Sequence, residues 1–360
     1  MPTSPHPKAG LLALLLLIGF CVGWEVWLRG QGFRLSYNDD EALWAHHHEK
    51  VYQAGPANPV LLGSSRIKFG LDLSTWQAAT EAAPTQLAMV GTSPRPVLAD
   101  LARDARFKGT VLVDVTEPIF FTAPGGYSEQ QAVKSVAYYP KWSIAQRCGF
   151  ALNRQLETRL LLLDEELFSL RGFLERVPLP NRPKVFAVPA FPMKFTTNDF
   201  NRQTFITPEF EADTAMQNQQ RAIWMHLFTK APKSPMSDSL LTAIFRETAA
   251  DVARIRSRGG QVVFVRMPSD GPLWAMEQKA FPRAAYWERL LRETGAPGIH
   301  FQDYPALARY HCPEWSHLTP ADARSFTANL VRIAAPKTGW RQAAAYSAAS
   351  PLVVSNLAIH

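Results

Sequence analysis

The chain has 360 residues, 47% hydrophobic and 19% charged, which is material for a large core and excludes disorder as the main state. Its three cysteines, Cys21, Cys148 and Cys312, exclude a disulfide scaffold and a cysteine-based zinc module. The formal charge of +7 is spread along the chain without a Lys/Arg block, which argues against nucleic-acid binding.

Leu11–Trp24 contains no charged residue. With Ala9, Gly10 and the turn up to Leu28 it reaches the roughly 20 residues that a helix needs to cross a bilayer. Glu25 stands where the run ends, and Trp24 and Trp27 suit the aromatic belt at that level. A cleaved signal peptide is the competing reading, but Glu25-Val-Trp-Leu-Arg29 follows the run where a small-residue cleavage site would stand. A lipoprotein through Cys21 is disfavoured by bulky Phe20. A retained anchor over residues 11–28 is therefore expected. Lys8 precedes it and Arg29 and Arg34 follow it, so the flanking charges give almost no orientation.

Residues 35–57 read as a membrane-proximal segment with a helix between Asn38 and Gln53. Its adjacent His46, His47 and His48 point in different directions on a helix, cannot converge on one metal, and read as a solvated face. Then come short apolar runs, several ending in Gly or small polar residues. Pro59–Arg66 is a buried strand and a tight turn; Gln86–Gly91, Thr110–Thr116, Gln261–Arg266 and Gly298–Gln302 are four more strands. Helical stretches separate them, among them Pro96–Arg106 and Arg283–Thr294. This alternation predicts an α/β fold: a mostly parallel sheet covered by helices on both faces, a flavodoxin-like three-layer arrangement, built from residues 58–121 and 259–335.

Residues 122–258 interrupt that domain, far beyond a normal crossover. Asp238–Arg258 and Leu156–Val177 have apolar residues at helical spacing, so this segment reads as a helical insertion. It covers the site, binds a partner or simply pads the core. The last helix starts at Thr319-Pro320-Ala-Asp322, with Thr as N-cap, Pro at the first position and an acid in the first turn. The tail, 336–360, gives no structural signal.

No phosphate-binding glycine loop, zinc-protease helix or G-x-S-x-G elbow occurs. What remains is Gly63-Ser64-Ser65-Arg66 after the first strand and Glu314-Trp-Ser-His317 before the last helix. A serine at such a turn points into the crevice at the carboxyl edge of the sheet, where ligands sit. A hydroxyl becomes a nucleophile beside a base, and the base needs an orienting group. Ser65, His317 and Glu314 are of the types that fill these three roles; taken separately, a Gly-Ser turn and a histidine before a helix are ordinary.

Together the two blocks resemble the SGNH, or GDSL-like, hydrolase superfamily, and within it membrane-anchored members that handle acyl groups on envelope polysaccharides. Leu61-Leu-Gly-Ser-Ser-Arg66 stands for the nucleophile block, Met89-Val-Gly-Thr-Ser93 for the glycine block, and Glu314–His317 for the acid–histidine block. The resemblance implies Ser65 as nucleophile, His317 as base and Glu314 as orienting acid. It implies an oxyanion hole from the Ser65 and Gly91 N–H groups; such a donor is worth about 3 kcal/mol in the transition state. The family's asparagine block is missing. Val113-Asp-Val-Thr-Glu-Pro118 stands in its place, leaving Thr116 as candidate third donor. Arg266, after the fourth soluble strand, and Arg66, beside the nucleophile, are candidate substrate-binding cations; a strand-end ion pair is the other reading of Arg266. Cys148 and Cys312 are either free or paired.

The resemblance implies a single-pass protein of the cytoplasmic membrane, with residues 1–10 cytoplasmic and the soluble domain facing the periplasm or cell exterior. The expected activity is O-acyl transfer, such as acetyl transfer, to an envelope or secreted polysaccharide, without metal or diffusible cofactor. A multispanning membrane acyltransferase is the expected donor partner. An esterase with the same triad and a non-catalytic assembly subunit are the rival readings.

Overall fold

A computed structural model describes residues 7–53, 58–177, 189–230, 236–340 and 342–343. The helix Pro7–Gly30 contains the stretch Lys8–Gly30, whose most apolar 18 residues have mean hydropathy 2.2, long and apolar enough to cross a membrane. The soluble part is built on five parallel strands: β1 (Val60–Leu62), β2 (Thr85–Gln86), β3 (Thr110–Asp114), β6 (Gln261–Arg266) and β7 (Gly298–His300). Their order, β2-β1-β3-β6-β7, reverses direction between β1 and β3. That is the doubly wound arrangement, with its ligand crevice at the reversal. Beyond β2 the ladder continues through Leu87 N–H to Leu61 and Met89 N–H to Gly63.

Side chains alternate across the strands, so each strand feeds two cores. Val60, Leu62, Val111, Val113, Val262 and Phe264 meet the helices Arg95–Arg103, Asp238–Ser257 and Trp287–Thr294 on one face. Leu61, Leu112, Val263, Val265 and Ile299 meet Leu73–Thr80 and Pro320–Thr338 on the other. The last helix runs through Pro336 and ends at left-handed Gly339, so the tail begins later than the sequence indicates. Trp340 still packs on Trp76; residues 344–360 lie outside the described residues.

Two expectations need correction within residues 122–258. The insertion is not wholly helical: β4 (Thr196–Asn198) and β5 (Thr204–Ile206) form an antiparallel hairpin. Leu156–Val177 is not one helix either. It breaks into the end of Ile144–Glu157, a 3-10 turn at Leu161–Leu163, and the helices Glu165–Phe168 and Leu170–Arg176. Asp164 and Ser169 cause the breaks, because their side chains accept from Leu167 N–H (2.9 Å) and Gly172 N–H (3.0 Å) as N-caps of new helices.

The histidine run also departs from expectation. In the helix Glu41–Gln53, His47 and His48 are buried, not solvated. His47 Nε2 bonds the Phe200 carbonyl (2.8 Å) and His48 Nε2 the Asp100 carboxylate (3.1 Å). Among the described residues no cluster of His, Cys, Asp and Glu is arranged to hold a metal. All three cysteines are free, Cys148 exposed and Cys312 buried.

Candidate active site

Gly63 lets the chain leave β1 toward the crevice. A Cβ there would stand 2.6 Å from Asp114 Cβ and 2.7 Å from Ile67 Cγ2, so no side chain fits. The next turn starts the helix Ser65–Gly70, with Ser65 in its first position. Phe69, four residues on, lies on the same side of that helix. Its ring stacks on the His317 imidazole, centroids 4.1 Å apart. Ser65 and His317 line one cavity of about 360 Å³ at the carboxyl edge of the sheet.

The histidine is held firmly. Glu314 Oε1 accepts from the His317 backbone N–H (2.7 Å) and from Nδ1 (2.9 Å). Because the carboxylate accepts, the Nδ1 proton is fixed and Nε2 carries the free lone pair. Nε2 is buried with no hydrogen-bond partner among the described residues. The Ser65 hydroxyl is thus not bonded to it here; such bonds commonly tighten only when substrate arrives. The loop that folds Glu314 back depends on Trp315, whose φ of +76° is left-handed. Trp315 in turn needs Gly271, where a Cβ would come within 2.9 Å of the indole.

The insertion completes the site. Trp224, from the helix Thr214–Lys230, donates its indole N–H to Glu314 Oε2, and Arg221 donates to the Pro313 carbonyl (Nε, 3.0 Å). Phe195 and Ile206, flanking and within the hairpin, pack with Phe210 on Phe69. Ser36–Asp40, which follow the N-terminal helix, form another part of the cavity wall.

The other expected site residues fall as follows. Gly91 is exposed at φ +63° beside the cavity-lining Val90, and its N–H has no hydrogen-bond partner among the described residues. Thr116 is engaged below the crevice, with its Oγ1 2.9 Å from Asp114 Oδ2 and 2.9 Å from Ser64 Oγ, and is not part of the cavity wall. Neither arginine reaches the cavity. Arg266 is fully buried between Glu117 (3.0 Å) and Glu277 (2.7 Å), and Arg66 pairs with the same Glu277. The two guanidinium groups outweigh burial and hold the Glu277 carboxyl down at about 2. Of the two readings of Arg266, the ion pair is the one observed.

The cations on the cavity wall are instead Lys68 and Arg202, both paired with Asp39. These two positive neighbours hold Asp39 well below the usual carboxylate range despite its burial. Asp164, on the same wall, is pushed up to about 6 by burial. Lys68 was within sight of the sequence, three residues past Ser65. Arg202 and Trp224 had no local signal, since both act over long sequence distances.

Comparison of the chain with protein-family models gives no match, and neither does comparison with curated proteins.

Proposed function

We propose that this chain is a membrane-anchored, extracytoplasmic serine acyltransferase of SGNH-like type, transferring an acyl group such as acetyl to a hydroxyl of an envelope or secreted polysaccharide. The observation that carries this reading is the His317 imidazole, fixed at Nδ1 by Glu314 and without a partner at Nε2 among the described residues, on the cavity that Ser65 also lines. Nε2 takes the Ser65 proton as Oγ attacks the acyl carbonyl. The donor's leaving group takes that proton and departs, leaving the acyl group on Ser65. An acceptor hydroxyl then gives its proton to Nε2 and attacks the acyl-serine, which restores the Ser65 hydroxyl. The Ser65 and Gly91 N–H groups are the proposed stabilisers of the oxyanion.

A donor arriving through a multispanning membrane acyltransferase fits a cavity whose wall includes the segment just after the apolar helix. The test is covalent labelling of the full chain in nanodiscs with a fluorophosphonate probe, mapped by mass spectrometry. One adduct on Ser65 is expected, lost in Ser65→Ala and His317→Ala. Glu314→Gln is expected to slow labelling about 10²- to 10⁴-fold. A folded chain that takes no adduct at Ser65 overturns the reading. With labelling established, dependence of turnover on a polysaccharide acceptor separates transfer from hydrolysis.

A further inference from the structure

The helix Ile144–Glu157 carries an apolar stripe on its outer face. Ile144, Cys148, Leu152 and Leu156 follow one another at four-residue spacing, hence along one face. All four are exposed, Ile144 to 81% and Leu152 to 73%. The charged groups point the other way. Arg147 pairs with Glu49 (2.8 Å), Arg154 lies 3.9 Å over the Phe200 ring, and Glu157 is buried. The neighbouring helix Leu170–Arg176 repeats the pattern, its Leu170, Phe173 and Leu174 exposed together with Val177 just after it. Apolar faces of this kind mark contact with something other than water.

What lies next to them identifies the occupant. Glu25, one residue past the apolar run and between Trp24 and Trp27, accepts the backbone N–H groups of Leu161 and Leu162, each at 3.1 Å. Arg29 donates to the Arg159 carbonyl (2.8 Å), and Phe33 meets Phe168 edge-on at 5.4 Å. The turn joining the two helices is therefore fastened at the level of the aromatic belt of the N-terminal helix. Leu156 stands next to that turn, its carbonyl accepting from the Arg159 N–H (2.9 Å) and the Leu160 N–H (3.0 Å).

We infer that the apolar faces of Ile144–Glu157 and Leu170–Arg176 lie in the interfacial layer of the bilayer that the N-terminal helix spans, a monotopic contact made by lipid itself. This inference rests on the reading of Lys8–Gly30 as a retained membrane span. It places the mouth of the Ser65 cavity beside the headgroups, where the wall segment Ser36–Asp40 leaves the membrane.

The test uses the full chain in vesicles of phosphatidylcholine and phosphatidylglycerol. In a Cys21→Ala, Cys148→Ala background, single cysteines replace Leu152, Leu174, Leu16 (mid-span) and Lys279 (exposed, on the sheet side) and carry an environment-sensitive fluorophore. Quenching by lipids brominated high on the acyl chain is read against quenching by aqueous iodide. Positions 152 and 174 are expected to be quenched by lipid about threefold or more above position 279. Lipid quenching at 16 but not at 152 and 174 overturns the inference and leaves the anchor standing; a protein partner would then be the occupant. Aqueous behaviour at 16 removes the anchor and the inference with it.

Discussion

The helices Trp287–Thr294 and Ile144–Glu157 are both two-faced, but they face opposite ways. The first turns Trp287, Leu290 and Thr294 onto the sheet and leaves Glu288, Arg292 and Glu293 in solvent. The second buries Glu157, lays Arg147 and Arg154 on the side away from the apolar stripe, and turns Leu152 and Leu156 outward. The same pattern thus has two orientations: it builds the core of the sheet domain, and in the insertion it leaves the apolar face outside. Buried charge differs in parallel. Under the sheet edge two arginines and two glutamates neutralise each other, whereas Glu157 is pushed up to about 7 by burial.

The contrast can be broken at its most costly point. Glu277→Gln leaves Arg66 and Arg266 short of a shared carboxylate and is expected to cost about 3–5 kcal/mol, read from urea unfolding. A loss under 1 kcal/mol would mean that the sheet tolerates inward charge as the insertion does. Leu290→Ala is expected to cost about 2–5 kcal/mol, because it opens a cavity between helix and sheet.

Acid sharpens the comparison in both regions. Burial depresses His47, which touches the insertion, and His300, in the sheet, to about 3 each. Below the unfolded histidine value of about 6.5 the unfolded chain binds protons that the folded chain refuses, so stability falls as pH falls. Glu277 adds to the loss below about 4.5, where the unfolded carboxylate protonates and the folded one, at about 2, does not. His47→Gln and His300→Gln are each expected to flatten the slope by up to about 1.4 kcal/mol per pH unit, measured as urea midpoints from pH 7 to 5. The smallest effect is expected at Leu152→Ser, within about 0.5 kcal/mol in detergent, because the side chain is mostly exposed.

The sheet was legible because its strands are short apolar runs ending in small residues, and the parallel order followed from their alternation with helices. Ser65 and the Glu314–His317 pair were legible for a local reason: turn chemistry in one case and a three-residue spacing in the other. What escaped depends on distant partners. Arg66 and Arg266 look like ligand cations until Glu277 and Glu117 are folded beside them. The hairpin turns at Arg202, a left-handed non-glycine without a Gly or Pro signal. His46–His48 look solvated because nothing nearby in sequence announces Phe200 and Phe150 packing on them.

The central strands β3 and β6 pair along five residues, yet residues 115–260 separate them in the chain. During synthesis, at about 5–20 residues per second, β3 waits of the order of ten seconds for its partner, with an unpaired edge exposed. Closing so long a loop makes the centre of the sheet a late, high-contact-order event. By then the N-terminal helix and its docking turn at Leu161–Leu162 have both been made. The folding order that follows is N-terminal helix first, insertion second and the crevice that His317 lines last, because His317 emerges only after β6. A chain halted before β6 would therefore hold its N-terminal helix and that docking turn but lack His317, and with it one wall of the cavity that Ser65 lines.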